Sequence, residues 1–250
     1  YELHGISGDR GVPPLPGEKS ISHRSILLSA LANGESVIDN FLLAGVTRPL
    51  LKALNDLGIL WRLDGNTLVV QGGGIHGWQA PAKTLDCSNS GTTLRLLAGA
   101  LATANIPATM DGTSGLRQRP MSRILEPLQA MGVPISASIG GVAPLVLGKR
   151  SDGELLRAID YRLPVASAQV KSCLLLAALT ANGVTTLREP GPSRDHTERL
   201  LQSMGVTVDT EQPFHADYGP VVRLTPPDGG LRPLSLVIPG DPSSAAFLIV

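Results

Sequence analysis

The sequence has no excess of either charge: 21 basic residues stand against 21 acidic ones in 250. Nucleic-acid binders usually carry a net basic excess, so this balance argues against such a partner. Long apolar stretches are missing too. The longest, Ser25 to Ala32 and Cys173 to Thr180, fall far short of the ~20 residues that span a bilayer, which excludes transmembrane helices. Cysteine is scarce. Cys87 and Cys173 stand alone, without a disulfide framework or a CxxC metal site, and a reducing cytoplasm is the simplest home for the chain. No Walker A or Rossmann glycine pattern occurs, since Gly72-Gly73-Gly74 lacks the following Lys-Ser/Thr and reads as a strand-end loop. Tyr1-Glu2-Leu3-His4 opens without Met and without a basic-then-apolar signal, which suggests an internal start or a fragment.

What is present is apolar and repetitive. Hydrophobic residues make up 42% of the chain, too many for a disordered one, and the length suits one large or two small domains. Leu50-Leu51-Lys52-Ala53-Leu54-Asn55-Asp56-Leu57-Gly58-Ile59 recurs as Leu125-Glu126-Pro127-Leu128-Gln129-Ala130-Met131-Gly132-Val133 and as Leu200-Leu201-Gln202-Ser203-Met204-Gly205-Val206. A second echo precedes each: Ser29 to Gly34, Ala98 to Thr103 and Ala178 to Gly183. Two matched anchors per unit define a repeat of about seventy residues.

Within a unit a polar motif leads into an apolar helix: Ser22 to Leu31, Thr92 to Ala102 and Val170 to Leu179. A β-branched strand such as Val184-Thr185-Thr186-Leu187 follows. A second helix then starts near Arg48, Pro120 or Asp195 and ends at a C′ glycine. Pro120 suits a first-turn position, and Asp195 with Glu198 forms a capping-box pattern. Two short strands close the unit, as at Val206 to Asp209 and Val221 to Thr225. The order is β-α-β-α-β-β, an α/β (α+β) chain. A fourth unit begins at Pro239-Gly240-Asp241, echoing Pro16-Gly17-Glu18, and stops inside its helix, so the expectation is a truncated or split protein.

Polar residues gather at the helix starts. Lys19-Ser20-Ile21-Ser22-His23-Arg24, Ser88 to Arg95, Ser167-Ala168-Gln169-Val170-Lys171 and Ser193-Arg194-Asp195-His196 each put hydroxyls and cations beside unpaired backbone N–H groups, which makes anion sites. If the repeats are related by rotation, these starts converge on one multiply anionic ligand. Each motif also has a plainer explanation. Ser20, Ser167 and Ser193 read as N-caps, the commonest reason for Ser before a helix. Lys19 and Arg24 read as solvated charges, and His23 and His196 as helix-start donors rather than catalysts. Arg117 and Arg119 either flank a helix start or form a pair suited to phosphate or carboxylate. Cys87, with no His near it in sequence, reads as a structural thiol.

Leu15-Pro16-Gly17-Glu18-Lys19-Ser20-Ile21-Ser22-His23-Arg24 resembles the N-terminal signature of the 5-enolpyruvylshikimate-3-phosphate synthase family. The other motifs follow in that family's order: Asn89 to Arg95, Asp111-Gly112 through Arg119-Pro120-Met121, Ala166 to Ser172, and Ser193-Arg194-Asp195-His196-Thr197-Glu198. The last two resemble the bacterial class II branch. The resemblance covers nearly the whole chain. It implies transfer of the enolpyruvyl group from phosphoenolpyruvate to the 5-hydroxyl of shikimate 3-phosphate, without metal or organic cofactor, in a cytoplasmic enzyme that is a monomer when complete. It implies two lobes, each an inside-out α/β barrel of three β-α-β-α-β-β repeats. On that basis residues 1–14 are strands of the other lobe, 15–237 form the shikimate-binding lobe (units at about 15–85, 86–162 and 163–237), and 238–250 begin a second, truncated lobe; the missing C-terminal lobe would carry the catalytic Asp and Glu.

Carried over by resemblance, Lys19 would contact both substrates and take part in proton transfer, while Ser20 and Arg24 would hold the shikimate moiety. Ser167, Ser193 and Arg194 would bind the 3-phosphate. Gln169 would lie over the ring and the enolpyruvate, and Gly91 and Arg119 would line the phosphoenolpyruvate subsite, where the family's herbicide glyphosate would also bind; Leu96 stands where many sensitive members have Pro. Ala168 replaces a second Ser found in many members. Near Ala44-Gly45-Val46-Thr47 the family's usual acidic residues are absent, so a weaker or rearranged cleft wall is expected there. Two other readings stand beside this one: a non-catalytic phosphate-binding module, and an enolpyruvyl transferase acting on UDP-N-acetylglucosamine, against which Lys19-Ser20 speaks because that family has a Lys-Asn pair.

Overall fold

The computed structural model describes residues 15–212 and 219–249. The strands expected over 1–14 lie outside them. The chain runs through α1 (Lys19–Leu31), β1 (Asn33–Asp39), α2 (Arg48–Asp56), β2 (Leu60–Asp64) and β3 (Thr67–Gly73). A second unit comprises β4 (Leu85–Asp86), α3 (Gly91–Ala104), β5 (Ala108–Asp111), α4 (Ser122–Ala130), β6 (Ile135–Ser138) and β7 (Val142–Leu147). A third comprises β8 (Asp160–Arg162), α5 (Ala168–Ala178), β9 (Thr185–Arg188), α6 (His196–Ser203), β10 (Thr207–Glu211) and β11 (Val221–Thr225). Next come β12 (Ser235–Val237) and α7 (Pro242–Ile249).

Each unit makes a four-stranded sheet of one design, in the orders β12-β1-β3-β2, β4-β5-β7-β6 and β8-β9-β11-β10. The first two strands pair in parallel, across one helix in the second and third sheets, and the rest are antiparallel. In the first sheet the place held by β4 and β8 elsewhere is taken by β12, which joins β1 with Val37 opposite Ser235. The threefold pattern therefore closes on itself through a strand nearly two hundred residues away.

The helices divide by burial. In α1 every residue from Ser22 to Leu31 is buried; in α3 Leu96 through Ala104 are buried, and in α5 Val170 through Ala178. An all-round apolar helix belongs inside. Helices α2, α4 and α6 instead bury one face, through Leu50, Leu51 and Leu54, through Ile124, Leu125 and Leu128, and through Leu200 and Leu201. The sheets form the outer layer, where β2 alternates half-buried and exposed residues. Close helix contact needs small residues: a Cβ on Gly99 of α3 would lie 2.2 Å from the Cys173 carbonyl oxygen of α5. Gly58, Gly132 and Gly205 have φ of +79°, +91° and +92°, the left-handed geometry that ends a helix at C′.

The two Pro-Gly-acid echoes lie side by side. Gly17 bridges Gly240 antiparallel, with Glu18 N–H donating to the Pro239 carbonyl at 2.9 Å and Asp241 N–H to the Pro16 carbonyl at 2.8 Å. Four expectations at helix starts need correction, and the first is Ser193, which is no cap, since the N-cap of α6 is Asp195. Helix α1 starts at Lys19, and its N-cap is Glu18, whose carboxylate accepts from Ile21 N–H at 2.6 Å, so Ser20 sits in the first turn. Helix α4 starts at Ser122 with Met121 as its N-cap, so Pro120 precedes the helix rather than sitting in its first turn. The capping box at α6 does not form: Asp195 accepts from Arg199 Nε at 2.7 Å, and Glu198 turns inward to a buried cation.

Candidate active site

The N-terminal turns of α1, α3 and α5 meet at one end of the molecule, and their C-terminal ends border a separate cavity at the other. At the N-terminal end lie two adjoining cavities. One, of about 380 Å³, is lined by Lys19, Ser20, His23, Arg24, Thr92, Ser167, Ala168, Gln169 and Arg194. The other, of about 290 Å³, is lined by Lys19, Gly45, Val46, Asn89, Ser90, Gly91, Thr92 and Arg119. Lys19 and Thr92 border both. Three helix starts aim unpaired N–H groups and partial positive charge at this place, and Lys19, Arg24, Arg119 and Arg194 add full charges.

Each side chain is held in a definite way. Ser167 is the N-cap of α5 and accepts from Val170 N–H at 3.4 Å. Ser20 Oγ accepts from Arg194 Nη1 at 3.1 Å. Gln169 is fixed at both ends of its amide: Oε1 accepts from Arg95 Nη1 at 2.6 Å and Nε2 donates to Thr92 Oγ1 at 2.9 Å. A Cβ on Gly91 would stand 3.2 Å from both the Arg119 and Arg95 Nη1 atoms, so the absent side chain leaves the two guanidiniums room. Arg117 and Arg119 part company. Arg117 is paired bidentately with Asp111 outside the cavities, while Arg119 faces in.

Arg24 is 3% exposed and gives four of its five N–H bonds to protein: Nε to Thr197 Oγ1, Nη1 to the Ser20 carbonyl, and Nη2 to the Ala168 carbonyl and Ser172 Oγ. It clamps α1 to α5 and α6 and keeps one donor for the cavity. Burial lowers its pKa to about 10, against the pull of Glu198 and Glu18. Behind it Lys171, 2% exposed, places its ammonium 2.7 Å from Glu189 Oε2 and 2.6 Å from Glu198 Oε1. Burial pushes the Glu198 carboxyl upward, and Lys171 opposes that. Two buried cations thus face two buried carboxylates, the balance that charges away from water require.

Ser193 is not brought into either of the first two cavities. Its hydroxyl donates to Glu189 Oε1 at 2.5 Å, and it borders a neighbouring cavity of about 400 Å³ with Lys171, Glu189 and Glu198. At Ala44–Thr47 the Val46 carbonyl meets His23 Nε2 at 2.9 Å, and Thr47 Oγ1 donates to the Leu42 carbonyl at 2.7 Å. Sequence reasoning counted Thr92, Arg95 and Lys171 among the anion-binding helix starts and passed over Glu189; instead Lys171 is spent on Glu189 and Glu198, and Arg95 and Thr92 hold Gln169. A lysine inside the run from Val170 to Leu179 was the available signal, since a cation there demands a buried anion.

Comparison with known proteins settles the kinship. A sequence model of the family EPSP synthase (3-phosphoshikimate 1-carboxyvinyltransferase) matches residues 10–250. The chain belongs to the EPSP synthase family. It is 46% identical over 248 residues to a 3-phosphoshikimate 1-carboxyvinyltransferase of Coxiella burnetii, covering 98% of this chain and 53% of that one. A relative of the same description from Roseiflexus is 47% identical over 242 residues, 95% of this chain and 53% of its own. The solved EPSP synthase of Acinetobacter baumannii superposes with a TM-score of 0.85 at 40% identity, over 94% of this chain and 51% of that structure. The chain spans about half the length of these EPSP synthase relatives. No described helix is long and apolar enough to cross a membrane.

Proposed function

We propose that this chain supplies the shikimate 3-phosphate half-site of an enzyme that transfers the enolpyruvyl group from phosphoenolpyruvate to the 5-hydroxyl of shikimate 3-phosphate. The observation that carries this reading is the junction at Lys19 of two cation-lined cavities. Two anions must be brought together, and each needs its own positive surroundings. The cavity with Ser20, Arg24, Ser167, Gln169 and Arg194 takes shikimate 3-phosphate, its phosphate toward Ser167, Ser20 and Arg194. The cavity with Gly91 and Arg119 takes phosphoenolpyruvate, Arg119 forking onto an anionic oxygen.

The chemistry is addition followed by elimination. The 5-hydroxyl oxygen bonds to C2 of phosphoenolpyruvate as C3 gains a proton and the hydroxyl loses one; C3 then gives up a proton, the C2–O bond to phosphate breaks, and the enol ether and inorganic phosphate leave. Nothing is oxidised or reduced, so no electron carrier is called for. Lys19, exposed and bordering both cavities, stands where a proton can pass between the reacting groups. Alignment of the two substrates and neutralisation of their charge supply much of the rate. The remaining catalytic groups come from a complementary lobe, and we assign the enzyme to the cytoplasm.

Calorimetric titration of the 250-residue chain with shikimate 3-phosphate tests this. Saturable binding that is lost in Ser167→Ala/Arg194→Ala supports the reading. No binding by folded chain, or binding indifferent to that double variant, overturns the assigned half-site.

A further inference from the structure

Resting on that reading of the phosphate subsite, we propose that Glu189 and Ser193 are positioning residues that set Arg194 for the phosphate, and that Ser193 does not itself touch it. Arg194 has a side chain 59% exposed, tied at the cavity by its Nη1 to Ser20 Oγ at 3.1 Å. A long exposed arginine gives up considerable rotamer freedom when it binds an anion, so a site gains by holding its backbone in place beforehand. Among the described residues, Pro190 through Arg194 make no backbone hydrogen bond. What anchors the stretch is the Ser193 hydroxyl on Glu189 Oε1 at 2.5 Å.

Glu189 is a firm anchor. It is 4% exposed, its N–H donates to the Pro220 carbonyl at 2.9 Å, and its other carboxylate oxygen takes the Lys171 ammonium at 2.7 Å. Lys171 lies two residues beyond Gln169 on α5, so one chain of contacts runs from the helix that carries Ser167 and Gln169, through Lys171, Glu189 and Ser193, to Arg194. A serine has one proton to donate. Spent on Glu189, that proton is not available to a phosphate dianion, and Ser193 borders the Lys171 cavity rather than the one with Ser20 and Ser167.

The test is a set of calorimetric titrations of the chain with shikimate 3-phosphate and with shikimate, which has the same ring without the phosphate. Ser193→Ala removes one hydroxyl, and Glu189→Met removes the acceptor while Lys171 keeps Glu198. Each is expected to weaken shikimate 3-phosphate about tenfold, with no further loss when combined and none in an Arg194→Ala background. Shikimate affinity stays unchanged, and Ser193→Thr restores binding. If Ser193→Ala still weakens binding in the Arg194→Ala background, Ser193 touches the phosphate and the proposal fails. It fails equally if Glu189→Met tightens binding or leaves it unchanged. Should Glu189→Met not fold, the Ser193–Arg194 cycle decides alone. A folded wild-type chain that does not bind shikimate 3-phosphate overturns the half-site reading, a result distinct from binding that ignores these substitutions.

Discussion

Arg95 holds the Gln169 side-chain oxygen at 2.6 Å, although the two residues sit on different helices and 74 positions apart. The same guanidinium reaches the Pro120 carbonyl through Nη2 at 3.1 Å, and burial, with Arg119 and Arg123 nearby, lowers its pKa. It thereby joins the start of α4 to the first turns of α3 and α5, between the two cavities.

Replacing Arg95 by Leu leaves the Gln169 carbonyl and the Pro120 carbonyl without their donor. The amide is then held at one end only, by Thr92. Shikimate 3-phosphate binding is expected to weaken about tenfold, or ~1.4 kcal/mol. Titration of the variant checks this, and unchanged affinity with retained fold would show that Gln169 needs no such support.

Two glycines in α3 respond differently to alanine. At Gly99 the added methyl meets backbone, the Cys173 carbonyl oxygen at 2.2 Å, so α3 and α5 must move apart at a cost of about 1–3 kcal/mol. At Gly91 the methyl meets only two guanidinium ends at 3.2 Å, which can give way. Thermal unfolding should show a lowered midpoint for Gly99→Ala and a midpoint nearly unchanged for Gly91→Ala, which is the first residue of α3. Equal midpoints would contradict the tight α3–α5 approach.

His23 makes folding sensitive to mild acid. Both ring nitrogens face carbonyl oxygens at 2.9 Å, of Lys19 and Val46, yet burial depresses its pKa below 6.5, helped by Lys19 and Arg24. The unfolded chain therefore binds more protons than the folded one just below pH 6.5, and stability is lost as pH falls through that region. His196, also depressed by burial, adds the same sign, and Glu198, raised by burial, opposes it. Thermal unfolding followed from pH 8 to pH 5 should fall less steeply for His23→Gln than for the wild-type chain; parallel curves would remove His23 from the account.

The two thiols are inert by burial. Cys87 and Cys173 are fully buried, and burial pushes each up to about 12. A thiol-specific reagent at pH 8 should label neither in the folded chain and both after denaturation. Rapid labelling of either one in the native state would show an opening of the core that the packing does not provide for.

Much of the architecture was legible in the sequence because it rests on short-range patterns. Helices, strands and C′ glycines follow from periodicities of a few residues, and three copies of one pattern made each reading check the others. The strand Val221–Thr225 is where the sequence placed it, and the second and third units have the β-α-β-α-β-β order read from it. Side-chain partnerships were less accessible. Ser20 looked like a cap because Ser before a helix usually is one, but Glu18 stands two residues earlier and reaches Ile21 N–H. Asp195 and Glu198 had capping-box spacing, yet the demand of buried Lys171 for negative charge outweighed a surface cap.

By itself the sequence determined the repeat, the class of fold, the kinship and the polar helix starts, since each is written in residues close together along the chain. Only the tertiary structure decided that β12 completes the first sheet, that three helix starts share two cavities joined at Lys19, and that Ser193 turns to Glu189 rather than into the cavity that Arg194 borders. Those outcomes depend on which distant groups meet where water is excluded. There the balance of buried charge and the single proton of each hydroxyl select the partner, and no local pattern records that choice.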